Sequence, residues 1–299
     1  MPAPDPGAGV RIAYLILAHA NPRHLGRLVA RLATPGSAAF IHVDARRPLG
    51  HFAASLPDGA ATLVEPRIVV RWGAWGMVEA TLALIRQALD HPAGFERLVL
   101  LSGTDYPLHA TADIEAFFAR RAADEFIELL PFGPGGKPLD RLTRHCPDEP
   151  RPLARTRRLL ERARLLPPAR DYRPAFGDLV PYGGSQWWAL SRAACTHMLA
   201  FDRDRPALAR FLAGTACADE TYFHTILGNS PFAPRIRPTL TYADWRGLAA
   251  SPAWLTPDHL DELRRVRMPS GVHPGMLFAR KCPDPSDEIV ARIEAMIAA

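Results

Sequence analysis

Residues 11–44, "RIAYLILAHANPRHLGRLVARLATPGSAAFIHVD", contain the pattern that decides the fold. The continuous apolar run at 10–18 is typical of a buried parallel strand. Residues 22–32 then carry apolar side chains at helical spacing, and residues 38–44 form a second apolar strand that ends on Asp44. A strand, a helix and a second strand in this order predict an α/β fold with a parallel sheet.

The rest of the chain repeats this alternation. The sequence predicts helices at 78–91 and 112–121, and strands at 97–107 and 125–130. Further helix starts are expected at or near Asn21, Ser191, Asp219 and Thr256. We therefore expect a mostly parallel mixed sheet that is sandwiched by helices.

The composition is that of an ordinary globular protein. The 299 residues are 48% hydrophobic and 22% charged, which suffices for a sizeable core. No apolar run approaches the ~20 residues of a membrane span. Residues 1–9 lack the features of a signal peptide and are expected to be a disordered leader. The four cysteines form no C-x-x-C pair, so we expect reduced thiols, no zinc site and a cytoplasmic protein.

Residues 131–180 break the pattern, because they are rich in Pro, Gly and Arg. Within them, 151–173 holds eight Arg against Glu161 and Asp171. This segment is either a solvated helix face or a surface for an acidic acceptor or an anionic membrane, which would place the protein at the inner membrane face. Nucleic acid is not an expected partner, because no zinc finger, RNP motif or heptad array accompanies the charge.

Polar side chains stand where three apolar strands end: His19, Asp44 and Asp105. Ligands of such sheets bind beyond the carboxyl ends of the strands, and an acid after the second strand often contacts a ribose. The turn at 18–26, "AHANPRHLG", has neither G-x-G-x-x-G nor a P-loop, so NAD and P-loop binding are excluded.

The phosphates of a nucleoside diphosphate would therefore need cations from another part of the chain. Arg280 and Lys281 follow an apolar segment directly and are available for that purpose. On spacing alone, an exposed basic dipeptide is the more common interpretation of such a pair.

Residues 216–232, "ACADETYFHTILGNSPF", place two carboxylates before an apolar-periodic run. Asp219 is expected to cap a helix that begins near Thr221. Glu220 would then occupy the first helical position, where the helix dipole favours a carboxylate. The pair either marks a helix start or supplies a general base, and Glu220 is the candidate for that base.

Seven ordered segments within residues 11–284 resemble the family of core-2/I-branching β-1,6-N-acetylglucosaminyltransferases and peptide O-xylosyltransferases. The resemblance is closest to the xylosyltransferase branch at 216–232. It implies a GT-A fold, a UDP-sugar donor, inversion at the anomeric carbon and no metal or other cofactor. The segments are "AYLILAHANPRHLGRLV…FIHVDARR", "WGAWGMVEATLALIRQAL", "LLSGTDYPLHATADIEAFF", "GGSQWWALSR", "ADETYFHTILGNSPF", "YADWRG…SP" and "LFARKCPD".

The resemblance also implies roles for individual residues. Glu220 matches the catalytic base, and Arg280 and Lys281 match the diphosphate-binding pair. The residues implied in nucleotide or donor-sugar binding are Asp44 on the uridine side, Asp105 beside the sugar, Ser185, Gln186, Trp187, Asp244 and Trp245. His19 joins them from its position at a strand end.

The chain departs from the family at two places. A further diphosphate-binding Arg of the branching enzymes is replaced by Ala253, for which Arg246 is a candidate substitute. The segment 131–180 does not match well. The one D-x-D sequence, "DRD" at 202–204, is expected in a surface loop, because it does not follow a buried strand.

These observations predict one GT-A domain over 10–299, with a nucleotide-binding half at 10–130, a basic acceptor-side excursion at 131–180 and a catalytic half at 181–299. We expect a soluble glycosyltransferase that moves GlcNAc or xylose from UDP-GlcNAc or UDP-xylose to a hydroxyl of a glycan, glycolipid or peptide. The alternative is a non-catalytic protein on the same fold that binds nucleotide sugars or glycans.

Overall fold

The computed structural model describes residues 10–146, 156, 159–160, 163, 169–246, 251–271 and 273–298. The predicted leader at 1–9 lies outside the described residues. Most of the basic segment 151–173, for which membrane contact is one of the predicted alternatives, lies outside them as well.

The strands form one large and two small sheets. Within the described ranges the strands are β1 (Ile12–Ala18), β2 (Ser37–Val43), β3 (Ala61–Leu63), β4 (Arg97–Ser102), β5 (Tyr106–Pro107), β6 (Glu125–Phe126), β7 (Leu130–Pro131), β8 (Tyr182–Gly183), β9 (Ala189–Ser191), β10 (Ile236–Arg237), β11 (Thr241–Ala243) and β12 (Phe278–Arg280). The large sheet has the order β10-β6-β9-β4-β1-β2-β3, and β9 is antiparallel to both of its neighbours. The predicted mostly parallel, mixed sheet is confirmed.

Helices cover both faces of this sheet. The helices of the described ranges are α1 (Pro22–Leu32), α2 (Leu49–Ala53), α3 (Gly76–Asp90), α4 (Thr111–Arg120), α5 (Asp140–Thr143), α6 (Arg173–Phe176), α7 (Arg192–Asp204), α8 (Pro206–Leu212), α9 (Tyr222–Gly228), α10 (Leu260–Val266) and α11 (Asp287–Ala298). None of these described helices has the length and apolar character needed to cross a bilayer.

The central strand β1 is buried on both faces, as its continuous apolar sequence predicts. Leu15 and Leu17 belong to a core that includes residues of α3, α7 and α9. Tyr14 and Ile16 point to the opposite core, which includes residues of α1 and α4. The strand therefore joins the two helical layers of an α/β/α sandwich.

A three-stranded sheet, in the order β11-β12-β5, packs on a third core with residues of α10 and α11. Its central strand β12 is parallel to β11 and antiparallel to β5. Because β5 follows β4 after a short turn, this small sheet lies next to the carboxyl ends of the large sheet's parallel strands. That arrangement brings Arg280 close to Asp105.

Two predicted strands are divided in the structure. Residues 97–107 become β4 and β5, which belong to different sheets because the chain turns at 103–105. Residues 125–130 likewise divide into β6 and the start of β7. The sequence marks a polar turn at 103–105, but it does not show that the chain changes sheet there or after β6.

The surface loop predicted for "DRD" at 202–204 is wrong, because these residues form the last turn of α7. Asp202 accepts a hydrogen bond of 2.7 Å from the hydroxyl of Tyr222. Its other oxygen pairs with Arg86 at 3.0 Å. These two contacts fix the orientation of the Asp202 side chain.

The predicted start of α1 is confirmed, since the Asn21 side chain accepts a hydrogen bond from the backbone N–H of His24. Gly26 lies within this helix. A Cβ at Gly26 would overlap the carbonyl oxygen of Ser55, which follows α2. The close approach of α1 to this backbone therefore requires the missing side chain.

We predict that Gly26→Ala lowers the free energy of unfolding by about 1–3 kcal/mol, the usual cost of overpacking. Chemical denaturation measures it. Gly50→Ala in α2 is the matched control, because a Cβ there meets nothing within 4 Å and Ala is the better helix former. Equal stability of the two variants would contradict the proposed close contact at Ser55.

Candidate active site

A cavity of about 320 Å³ opens where β1, β2 and β4 end, between the large sheet and the end of β12. Its wall combines several cationic side chains, several carboxylates and indole rings. Nine of the eleven predicted site residues line it: His19, Asp44, Ser185, Gln186, Trp187, Glu220, Trp245, Arg280 and Lys281. Segments that are distant in sequence therefore meet at one site.

Glu220 lies at the end of a short 3₁₀ turn, Ala218–Glu220, with its side chain 24% exposed. Its Oε2 accepts hydrogen bonds from Nη1 of Arg141 at 2.6 Å and from Nζ of Lys137 at 3.4 Å. Among the described residues, none donates a hydrogen bond to its Oε1. The carboxylate is thus held at one oxygen by two cations.

The contacts of Lys137 and Arg141 with Glu220 were not predicted from the sequence. Both belong to the segment 131–180, where neither periodicity nor a motif separates them from the many other basic residues. Only the folded arrangement brings them to Glu220. Glu128 was not predicted either, although it follows the apolar residues Phe126 and Ile127 much as the predicted acids follow their strands.

The predicted role of Asp219 as a helix cap is wrong. Helix α9 begins at Tyr222, and no side chain caps it. Asp219 instead lies inside the 3₁₀ turn and is 5% exposed, so its backbone is not in the extended conformation of an N-cap. Its Oδ1 has no hydrogen-bond partner within the described part of the chain. Burial and the adjacent Glu220 raise the pKa of Asp219 to about 7.

Asp105 lies beneath the cavity wall and is completely buried. Its Oδ1 pairs with Nε of Arg280 at 3.1 Å, and its Oδ2 accepts a hydrogen bond from the backbone N–H of Ser102. Burial raises the pKa of Asp105 to about 6, although Arg280 opposes the rise. The structure therefore connects Asp105 to the cavity through Arg280, whereas the sequence placed it beside the donor sugar.

Arg280 and Lys281 face the cavity, and each cation lies over an indole ring. The guanidinium carbon of Arg280 is 4.3 Å from the ring centroid of Trp187. The ammonium of Lys281 is 4.3 Å from the ring centroid of Trp254. Burial and the neighbouring Arg280 lower the pKa of Lys281. The two cations thus share one partly desolvated wall.

Asp44 lines the cavity with a carboxylate that is already well bonded. It accepts hydrogen bonds from the side chain and the backbone N–H of Arg46, and from the backbone N–H of Val70. Burial acts to raise the pKa of Asp44, but these hydrogen bonds outweigh it and hold the pKa below its usual value. Asp44 consequently also fixes the position of Arg46, which is another residue of the lining.

Residues 183–188, "GGSQWW", form a part of the cavity wall that packs on α9. The backbone N–H of Ser185 donates to Glu128 at 2.8 Å, and its carbonyl accepts a hydrogen bond from Nε2 of His224 at 2.9 Å. A Cβ at Gly184 would overlap the carbonyl of Glu128 and the ring of His224. Glycine therefore permits the close packing that fixes Ser185.

Asp244 does not line the cavity, unlike Trp245 beside it. Its carboxylate binds Arg246 at 2.9 Å and Nε2 of His259 at 3.1 Å. Arg246 also pairs with Glu262 at 3.1 Å. The structure thus assigns Asp244 to the support of this loop, and it places Arg246, the candidate substitute for the missing arginine, outside the lining.

Across the described ranges, no three His, Cys, Asp or Glu side chains are grouped in a way that could hold a metal ion. Neither Asp202 nor Asp204 is among the described residues that line the cavity.

The fold and this cavity define an α/β protein whose candidate site lies at the carboxyl ends of its parallel strands. More specifically, the chain belongs to the Core-2/I-Branching enzyme family, whose model matches residues 12–265. The family resemblance identified in the sequence is therefore confirmed. The mostly parallel sheet flanked by helices is consistent with a GT-A-like fold.

Several relatives are xylosyltransferases. The chain is 29% identical over 237 residues to xylosyltransferase 2 of Homo sapiens, an alignment that covers 76% of this chain and 25% of the human protein. It is 28% identical over 240 residues to xylosyltransferase 2 of Mus musculus (76% and 26%), and 27% identical over 239 residues to xylosyltransferase 1 of Rattus norvegicus (74% and 26%). The chain thus spans about a quarter of the length of these relatives.

We predict a pH-dependent contribution of His224 to stability. Burial lowers the pKa of His224 from 6.5 to about 4, so the folded protein keeps the ring neutral where the unfolded chain protonates it. The contribution of His224 to the free energy of unfolding is therefore greatest above pH 6.5. It decreases by up to about 3 kcal/mol as the pH falls from 6.5 to 4.

Denaturant unfolding of wild type and His224→Gln at several pH values measures this effect. The advantage of the wild type is expected to shrink as the pH falls from 6.5 towards 4. Other titrating groups cancel in this comparison, because both proteins contain them. A difference in stability that is constant with pH would contradict the prediction.

Proposed function

We propose that this protein is an inverting glycosyltransferase that transfers GlcNAc or xylose from a UDP-sugar to an acceptor hydroxyl without a metal ion. The observation that carries the proposal is the meeting of Glu220 with Arg280 and Lys281 in one cavity. A base and a cationic leaving-group site are the two chemical elements that such a transfer needs. Xylose is favoured as the sugar, because the relatives described above are xylosyltransferases.

Glu220 is proposed as the general base. The acceptor oxygen forms a bond to the anomeric carbon while its proton passes to the carboxylate, and the bond from that carbon to the UDP oxygen breaks. Oε1 is the atom proposed to take the proton, because Arg141 and Lys137 both contact Oε2. A carboxylate is a weak base for a hydroxyl, so proton transfer accompanies bond formation.

Arg280 and Lys281 are proposed to stabilise the negative charge that develops on the departing diphosphate. Arg280 is held from below by Asp105, so its direction is fixed before the substrate binds. Such preorganised charge is a large source of rate enhancement in enzymes, since no reorganisation is needed during the reaction. The acceptor is proposed to be a glycan, glycolipid or peptide that approaches from the side of Glu220.

We predict that Glu220→Gln lowers sugar transfer by about 10²–10⁴-fold, because the amide keeps the shape of the side chain but removes its basicity. Affinity for UDP is expected to persist. Product formation from UDP-xylose or UDP-GlcNAc with an acceptor, together with calorimetric titration of UDP, measures both quantities.

Asp219→Asn is the matched control for Glu220→Gln. It should cost transfer far less, because a carboxyl with a pKa of about 7 is already partly protonated at neutral pH. Loss of transfer in Asp219→Asn with retention in Glu220→Gln would reverse the assignment of the two carboxylates. UDP-sugar binding without transfer to any acceptor would favour the non-catalytic binding protein.

Metal independence yields a separate prediction. Transfer is expected to survive excess EDTA, because the proposed role of a metal on the diphosphate falls to Arg280 and Lys281. Rates with and without EDTA, and with added Mn²⁺, measure this. A loss of activity that Mn²⁺ restores would contradict the proposal of a metal-free reaction.

A further inference from the structure

Trp254 contributes to the site without lining the cavity. Its ring is 51% exposed, and the Lys281 ammonium lies over its face at 4.3 Å. The residues that line the cavity include Lys281 but not Trp254. An action of this indole on a ligand in the cavity would therefore pass through the lysine.

The backbone around Trp254 is fixed on both sides. The N–H of Leu255 donates to the carbonyl of Lys281 at 2.8 Å, and the N–H of Ala253 donates to the carbonyl of Asp244 at 2.8 Å. Leu255 is buried in the third core. The half-exposed indole is consequently attached to a rigid segment, which is itself bonded to the residue whose side chain it contacts.

We propose that Trp254 is a positioning residue that orients the Lys281 ammonium for the donor diphosphate. This inference rests on the proposed function, in which Lys281 binds that group. A lysine side chain has four flexible carbons and gains its direction only from its surroundings. The indole face attracts the ammonium and limits its positions, while it leaves the opposite side of the cation open to the cavity.

The same wall contains a second arrangement of this kind. Arg280 also lies over an indole, that of Trp187, but it has Asp105 as an additional anchor. For Lys281, by contrast, the described residues provide no carboxylate within salt-bridge distance. Trp254 is thus the contact that substitutes for an acidic partner, and it does so without neutralising the charge that the diphosphate requires.

A double-mutant cycle tests this inference. Calorimetry would measure the Kd of UDP for wild type, Trp254→Leu, Lys281→Met and the double variant. We expect Trp254→Leu to weaken UDP binding about two- to fivefold, the worth of a half-exposed cation–π contact. In the Lys281→Met background the same change should have no effect. Trp254→Phe, which keeps a smaller aromatic face, should lie between wild type and Trp254→Leu.

The other outcomes distinguish a failure of the positioning role of Trp254 from a failure of the proposed function. If Lys281→Met weakens UDP binding but Trp254→Leu does not, the positioning role is overturned and the proposed function stands. An equal effect of Trp254→Leu with and without Lys281 would also overturn it, since the tryptophan would then act through general packing. If UDP binds the wild type and Lys281→Met equally well, the diphosphate assignment itself fails.

Discussion

The buried ion pair between Asp105 and Arg280 is the interaction on which the rest of the site depends. It joins the turn after β4 of the large sheet to the end of β12 in the small sheet. The backbone N–H of Cys282 supports the same junction through the carbonyl of Thr104. An unpaired buried charge is costly, so the two sheets keep the relative position that satisfies both groups. Lys281 lies between these two contacts in the chain, so they also fix the position of its backbone in the wall.

A second constraint connects the candidate base to the wall of the cavity. The backbone N–H of Gly184 donates to the carbonyl of Glu220, and Ser185 is held by Glu128 and His224. The turn that carries the carboxylate and the segment "GGSQWW" therefore form one hydrogen-bonded unit. Because buried polar groups in such a unit must remain paired, a shift of one part requires a shift of the other.

Much of this arrangement was predictable from the sequence, because apolar strands that end on polar residues place those residues at one sheet edge. His19 and Asp44 follow that rule. The segments around Glu220 and Arg280 were recognised by their resemblance to the motifs of the family. The inward position of Asp105 and the pairing of Asp244 with His259 were not predictable, since both depend on how the small sheet meets the large one. The 3₁₀ turn at Asp219 was missed because an acid before an apolar run has the same pattern in a capped helix.

The pairing of Glu220 with Lys137 and Arg141 has a consequence for the effect of substitutions in the segment that carries these two cations. The two cations come from the segment 131–180, which carries none of the family motifs. The part of the cavity wall that holds Arg280 and Lys281 is built from a segment that does carry one. Changes in the segment 131–180 alter the surroundings of Glu220, whereas Arg280 keeps its own support from Asp105. Substitutions in one part of the site are therefore expected to leave the contacts of the other part unchanged.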